Sequence, residues 1–160
     1  MSTTAKGTNT KAALVLTITR TIAAPRELVF ACWTQSRHLA RWGGAPEGMT
    51  ANVEVKRIRT GGRYLVHLER ENGDRFSVQG NYLEVVKPER LVFTHAWLSE
   101  DGTPGPEMLV TIVFTEVNGR TRMSLRQEGF TSAGSRDGHR EGWTSQIERF
   151  ATYVAANNER

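Results

Sequence analysis

His67 and His95 are the side chains best placed to do chemistry, each inside a run that alternates apolar and polar residues. An imidazole among apolar neighbours can exchange a proton or a hydrogen bond with a ligand carbonyl or hydroxyl, which makes these two the catalytic candidates. A histidine satisfied inside an ordinary core is the plainer reading. Metal ligation fits poorly, because two strands apart the rings lie roughly 9 to 10 Å from each other. The chain has no His-Glu-x-x-His, no paired cysteines at zinc spacing and no phosphate-cradling glycine loop, so neither a metal nor another cofactor is expected. Cys32 falls in an apolar helical pattern that suits a buried, inert thiol, and no serine stands in Gly-x-Ser-x-Gly.

The elements that must position these groups follow from periodicity. Leu14 to Ile22 is β-branched and alternating, a first strand with Leu16, Ile18, Arg20 and Ile22 on one face. Arg20 would there need a partner, for which Glu69 is a candidate. Pro25 suits the first position of a helix carrying Val29, Cys32 and Trp33 inward, and Ser36 can cap a second short helix through Trp42. From Thr50 to Glu128 strands alternate with turns at Gly61-Gly62, Asn72-Gly73, Lys87-Pro88, Asp101-Gly102 and Asn118-Gly119, predicting a six-stranded meander. Asp137 to about Ala156 places Trp143, Ile147, Phe150 and Val154 on one helical stripe that must pack on the sheet.

Antiparallel partners keep a constant index sum, so each turn dictates a register. A two-residue turn at Asn72-Gly73 pairs His67 with Val78. Lys87-Pro88 pairs Tyr82 with Phe93 and Val78 with Trp97, and Asn118-Gly119 pairs Ile112 with Leu125 and Val110 with Gln127. Joining Trp97 to Met108 across the Ser99 to Glu107 connection completes an inner face. It comprises Leu65, His67, Phe76, Val78, Tyr82, Leu91, Phe93, His95, Trp97, Met108, Val110, Ile112, Phe114, Met123 and Leu125.

Several segments together resemble a known family: Ala24-Pro25-Arg26-Glu27-Leu28-Val29-Phe30, Trp33-Thr34, Leu39-Ala40-Arg41-Trp42, Gly61-Gly62-Arg63-Tyr64, Gly80 to Val85, Pro88 to Thr94 and Gly142-Trp143. They are similar to the activator of Hsp-90 ATPase homologue-like proteins of the START-related, Bet v 1-like (SRPBCC) superfamily, over about residues 12 to 156. The resemblance implies an α+β helix-grip fold, β-α-α-β6-α, in which a bent antiparallel sheet of about seven strands grips the C-terminal helix and leaves a cavity. The chain departs from the family pattern at Ala24, where an aspartate cap is common, and at Gly43, where a second tryptophan is common and its loss opens the cavity mouth.

On that scaffold the expected cavity is lined by His67, Val78, Tyr82, Phe93, His95, Trp97, Met108, Val110, Ile112, Met123, Leu125, Gln127, Trp143, Ile147 and Phe150, with Trp42 at the rim. The same apolar residues are what a packed core contains. Binding of a small hydrophobic or amphipathic molecule is the leading expectation. A chaperone-interaction module and a cavity enzyme of cyclase, dehydratase or hydrolase type, with a histidine as acid or base, are the alternatives.

The whole chain bounds these readings. Residues 1–11 are polar and read as a disordered tail ahead of one domain over 12–160. No run approaches the roughly 18 to 20 apolar residues of a membrane span, so no membrane partner and a cytoplasmic location are expected. The net charge of +4 comes from scattered arginines, unlike the concentrated stripe of a nucleic-acid binder. A monomer and a homodimer both fit.

Overall fold

Alternating β-branched segments and turn dipeptides produce strands here, and apolar stripes at helical spacing produce helices. The computed structural model describes residues 14–42, 46, 48–56 and 58–158, with backbone alone at 36, 40 and 53–56. The expectations placed on residues 1–11 and on Gly43 lie outside them. In chain order the elements are β1 (Val15–Ile22), α1 (Arg26–Thr34), α2 (Ser36–Trp42), β2 (Met49–Lys56), β3 (Arg63–Arg70), β4 (Arg75–Val86), β5 (Arg90–Leu98), β6 (Met108–Val117), β7 (Arg120–Glu128) and α3 (Ala133–Asn158). The strands form one antiparallel sheet in the order β1-β7-β6-β5-β4-β3-β2, curled around α3. This is the α+β helix-grip arrangement.

Two Asn-Gly dipeptides fold into different turns. At Asn118-Gly119 both residues have positive φ, 52° and 80°, the two-residue turn whose twist matches its strands. Ile112 accordingly faces Leu125 and Val110 faces Gln127, the expected register. At Asn72-Gly73 only the glycine is left-handed (φ 94°), Arg70 and Asp74 close the hairpin, and the Asn72 side chain accepts the Asp74 amide at 2.9 Å. The loop is therefore one residue longer than expected, and His67 pairs with Ser77 instead of Val78. With a side-chain period of two, that slip turns Tyr64, Val66 and Leu68 toward the helix and sends His67 and Leu65 to the other face.

Elsewhere Tyr82 faces Phe93 and Val78 faces Trp97 as expected, with a bulge at Leu83. His95, not Trp97, faces Met108, a shift of two residues that preserves which side chains point inward. Gly80 sits where β4 crosses β5. A Cβ there would collide with the Thr94 carbonyl and the Tyr64 ring, so only glycine admits this approach.

The helices start differently from expectation. Pro25 is the residue ahead of α1, not its first turn, and no side chain caps that end. Ser36 is the first residue of α2 instead of its cap, and the Gln35 carbonyl receives the amides of His38 and Leu39. α3 begins at Ala133, four residues before Asp137, because the Ser132 hydroxyl accepts the Ser135 amide at 3.1 Å. Gly134 and Gly138 had masked that turn, glycine being a poor helix former.

Along its length α3 is tied to the edge strand β1. Arg140 donates to the Thr17 carbonyl, Arg20 pairs with Glu148 at 2.8 Å, and Asn158 donates to the Ala23 carbonyl. Arg20 thus meets a helix carboxylate at the sheet edge; Glu69 pairs with Arg75 instead. Against β1, β7, β6, α1 and α2 the helix packs a continuous core, with Leu16, Val110, Ile112, Leu125, Phe150 and Val154 all fully buried. Each such side chain contributes roughly 1.5 to 3 kcal/mol by leaving water.

Candidate functional site

The other half of the grip is hollow. A cavity of about 470 Å³ lies between β2–β5 and the first turns of α3, partly open to solvent. Its sheet wall is Met49, Val66, Leu68, Arg70, Phe76, Val78, His95 and Trp97; its helix wall is Ser135, Gly138, His139, Gly142, Trp143 and Gln146, with Pro46 beside them. The space exists because the helix presents small residues here. A Cβ at Gly138 would meet nothing within 4 Å, and one at Gly142 would only reach Pro46.

Of the residues expected to line a cavity, Val78, His95, Trp97 and Trp143 do so. Tyr82, Phe93, Met108, Val110, Ile112, Met123, Leu125, Ile147 and Phe150 are instead packed into the solid core. Parity alone put them on the inner face, and it does not say where the helix stands clear of the sheet. His67 is on the opposite face, with Nδ1 2.7 Å from the Ser77 hydroxyl, because of the longer hairpin loop. Trp42 is not at a rim: it is buried, donates its indole N–H to the Cys32 carbonyl and packs on Trp33 and Phe150. Gln127 is fully buried behind the wall, where its amide oxygen receives the Trp143 indole N–H at 2.7 Å and its nitrogen donates to the Met108 sulfur. It orients a cavity tryptophan without facing the cavity.

The polar interior is built around two imidazoles. His139, which sequence reasoning passed over although it falls inside the expected helix one turn before Trp143, accepts the Trp97 indole N–H at Nε2 (2.8 Å). Its Nδ1 lies 2.7 Å from the Ser135 carbonyl. An indole only donates and a carbonyl only accepts, so the ring carries its proton on Nδ1. This chain of bonds holds the start of α3 against β5.

His95 is buried among the rings of Trp97, His139 and Trp143 at centroid distances of 5.5 to 6.1 Å. Burial, with a smaller contribution from His139, holds its pKa far below the usual imidazole range, at about 3, so it is neutral at ordinary pH. Its Nδ1 is 3.2 Å from the Tyr64 hydroxyl, which also donates to the Thr94 carbonyl at 2.8 Å. Burial, then Tyr82, pushes the Tyr64 phenol well above its ordinary range, so it keeps that proton. Nε2 of His95 has no protein partner. At the edge of the cavity the Arg70 guanidinium lies 5.0 Å over the Phe76 ring. Burial pushes the Cys32 thiol up to about 11, so it is no nucleophile.

Among the described residues no group of three or more histidine, cysteine, aspartate or glutamate side chains could hold a metal ion, and no helix is long and apolar enough to cross a membrane. No curated protein matches the chain. Solved structures do. A protein from Chromobacterium violaceum is 26% identical with a TM-score of 0.79, over 89% of this chain and 97% of its own. The AHSA1 protein from Silicibacter pomeroyi is 26% identical at 0.81, over 89% and 99%. A protein from Nitrosomonas europaea is 25% identical at 0.75, over 93% and 99%. The family model described as Activator of Hsp90 ATPase homolog 1-like protein matches residues 23–155, the span that holds the cavity and all of the packed core but the residues of β1, and the chain belongs to that family.

Proposed function

We propose that this protein binds a small hydrophobic or amphipathic molecule in the cavity between β2–β5 and the first turns of α3. The observation that carries the reading is an apolar space of about 470 Å³ enclosing isolated polar groups. Its volume falls within the roughly 300 to 1,000 Å³ of small-molecule pockets. Val66, Leu68, Phe76, Val78, Trp97 and Trp143 provide the apolar surface, and His95 in the wall holds a buried nitrogen without a protein partner. Binding is favoured over acid–base catalysis because an imidazole with a pKa of about 3 is a weak base at neutral pH and is not present as the imidazolium acid.

The test is native mass spectrometry of gently purified protein, followed by thermal melts with a broad lipophile panel. A copurified molecule or a raised melting temperature is expected. The same measurements on Gly138→Leu, which takes up part of the cavity from its helix wall, should show weaker binding and a smaller rise. No ligand across the panel, or equal binding by wild type and the variant, would sink the proposal.

A further inference from the structure

Resting on that cavity as a binding site, we infer that its ligand is a hydrogen-bond donor, a phenol or alcohol whose hydroxyl is received by the Nε2 lone pair of His95. The residue is only 7% exposed and lines the cavity, while its Nε2 is itself buried without a protein hydrogen-bond partner, so a ligand hydroxyl reaches it as the neighbouring Trp97 or Trp143 ring gives way. Which hydrogen-bonding role that atom offers is decided two residues away. The Thr94 carbonyl can only accept, so the Tyr64 hydroxyl, 2.8 Å distant, spends its single proton there. The same oxygen then serves as acceptor for Nδ1–H of His95 at 3.2 Å. With its proton on Nδ1, the ring presents a bare lone pair at Nε2.

His139 cannot fill the same role, because its Nε2 already accepts from Trp97. A ligand carbonyl or ether brought to His95 would set acceptor against acceptor, whereas a hydroxyl satisfies it. The surrounding Phe76, Trp97 and Trp143 rings suit an apolar or aromatic body behind that hydroxyl. Tyr64 is then a positioning residue: it sets the tautomer that sets the preference. Gly80 permits this, since any side chain there would displace the Tyr64 ring.

The experiment compares 4-octylphenol with its methyl ether, which have the same body with and without the donor. Affinity is followed by tryptophan fluorescence, and the 15N resonance of His95 Nε2 is observed directly. The phenol should bind wild type about tenfold more tightly and shift that resonance, which the ether leaves in place. His95→Phe should bring the two affinities together. Tyr64→Phe frees the ring to carry its proton on Nε2 and should erase or reverse the preference, a change in ratio that a general loss of packing would not cause. Equal binding of both probes by wild type overturns the donor assignment and leaves the cavity reading standing. A preference that survives both substitutions overturns the role of His95. Binding of neither probe overturns the inference together with the reading it rests on.

Discussion

The two halves of the grip differ although one sheet and one helix build both. Where β1, β7 and β6 meet the second half of α3, Ile147, Phe150 and Val154 fill the space and are buried to 2% exposure or less. Where β2–β5 meet the first half, Ser135, Gly138 and Gly142 leave about 470 Å³ open. The ties from α3 to β1 through Arg140, Glu148 and Asn158 hold the helix toward one edge. In a curled sheet, large side chains on the near half and small ones on the far half yield a core at one end and a cavity at the other. Stability and binding are thereby assigned to different residues.

The sharpest way to break that comparison is one chemical change made in each half. Leu125→Ala, in the solid half, should cost about 4 kcal/mol, and Leu68→Ala, on the cavity wall, about 2 kcal/mol, because a side chain already facing open space loses fewer contacts. Urea denaturation of both variants checks this; equal costs would erase the distinction.

Acid should act through the hollow half. His95 is held near pKa 3 by burial, while an unfolded imidazole titrates near 6.5. Between those values the unfolded state binds the extra proton, so stability is full above about pH 6.5 and falls as pH drops toward 3, by up to about 1.4 kcal/mol per unit. Burial also holds His38 below its ordinary range, which adds in the same direction. In stability measured against pH, His95→Phe should flatten most of this slope; an unchanged slope would contradict the assignment.

Gly80→Ala tests the junction of β4 and β5 beside the cavity. Its methyl group must displace the Thr94 carbonyl or the Tyr64 ring, at a cost of about 1 to 3 kcal/mol in thermal unfolding. The smallest effect should have the opposite sign. Gly138→Ala adds a helix former where space is open and should raise stability by about 0.5 to 1 kcal/mol. A loss there would mean the first half of α3 is more closely packed than its geometry implies.

Much of the fold was legible because its signals are local. The alternation of Leu16 and Ile18, the left-handed pair at Asn118-Gly119 and the stripe from Trp143 to Val154 each act within a few residues. The candidate site was less legible. His67 was misplaced by one residue of loop length at Asn72-Gly73, a dipeptide compatible with either turn. His139 was missed although it stood inside the expected helix, because its partner Trp97 is 42 residues away and no local period joins them.

By itself the sequence determined the element order, the inward parity of β4 to β7 and the apolar stripe of α3, since side-chain periods of two and about 3.6 are written into residue order. Only the tertiary structure decided which inward residues form core and which form wall. It also decided which nitrogen of His95 stays free. Those outcomes depend on where the helix rests across the sheet and on Tyr64 lying beside Thr94, contacts between residues 30 apart in the chain that no local period encodes.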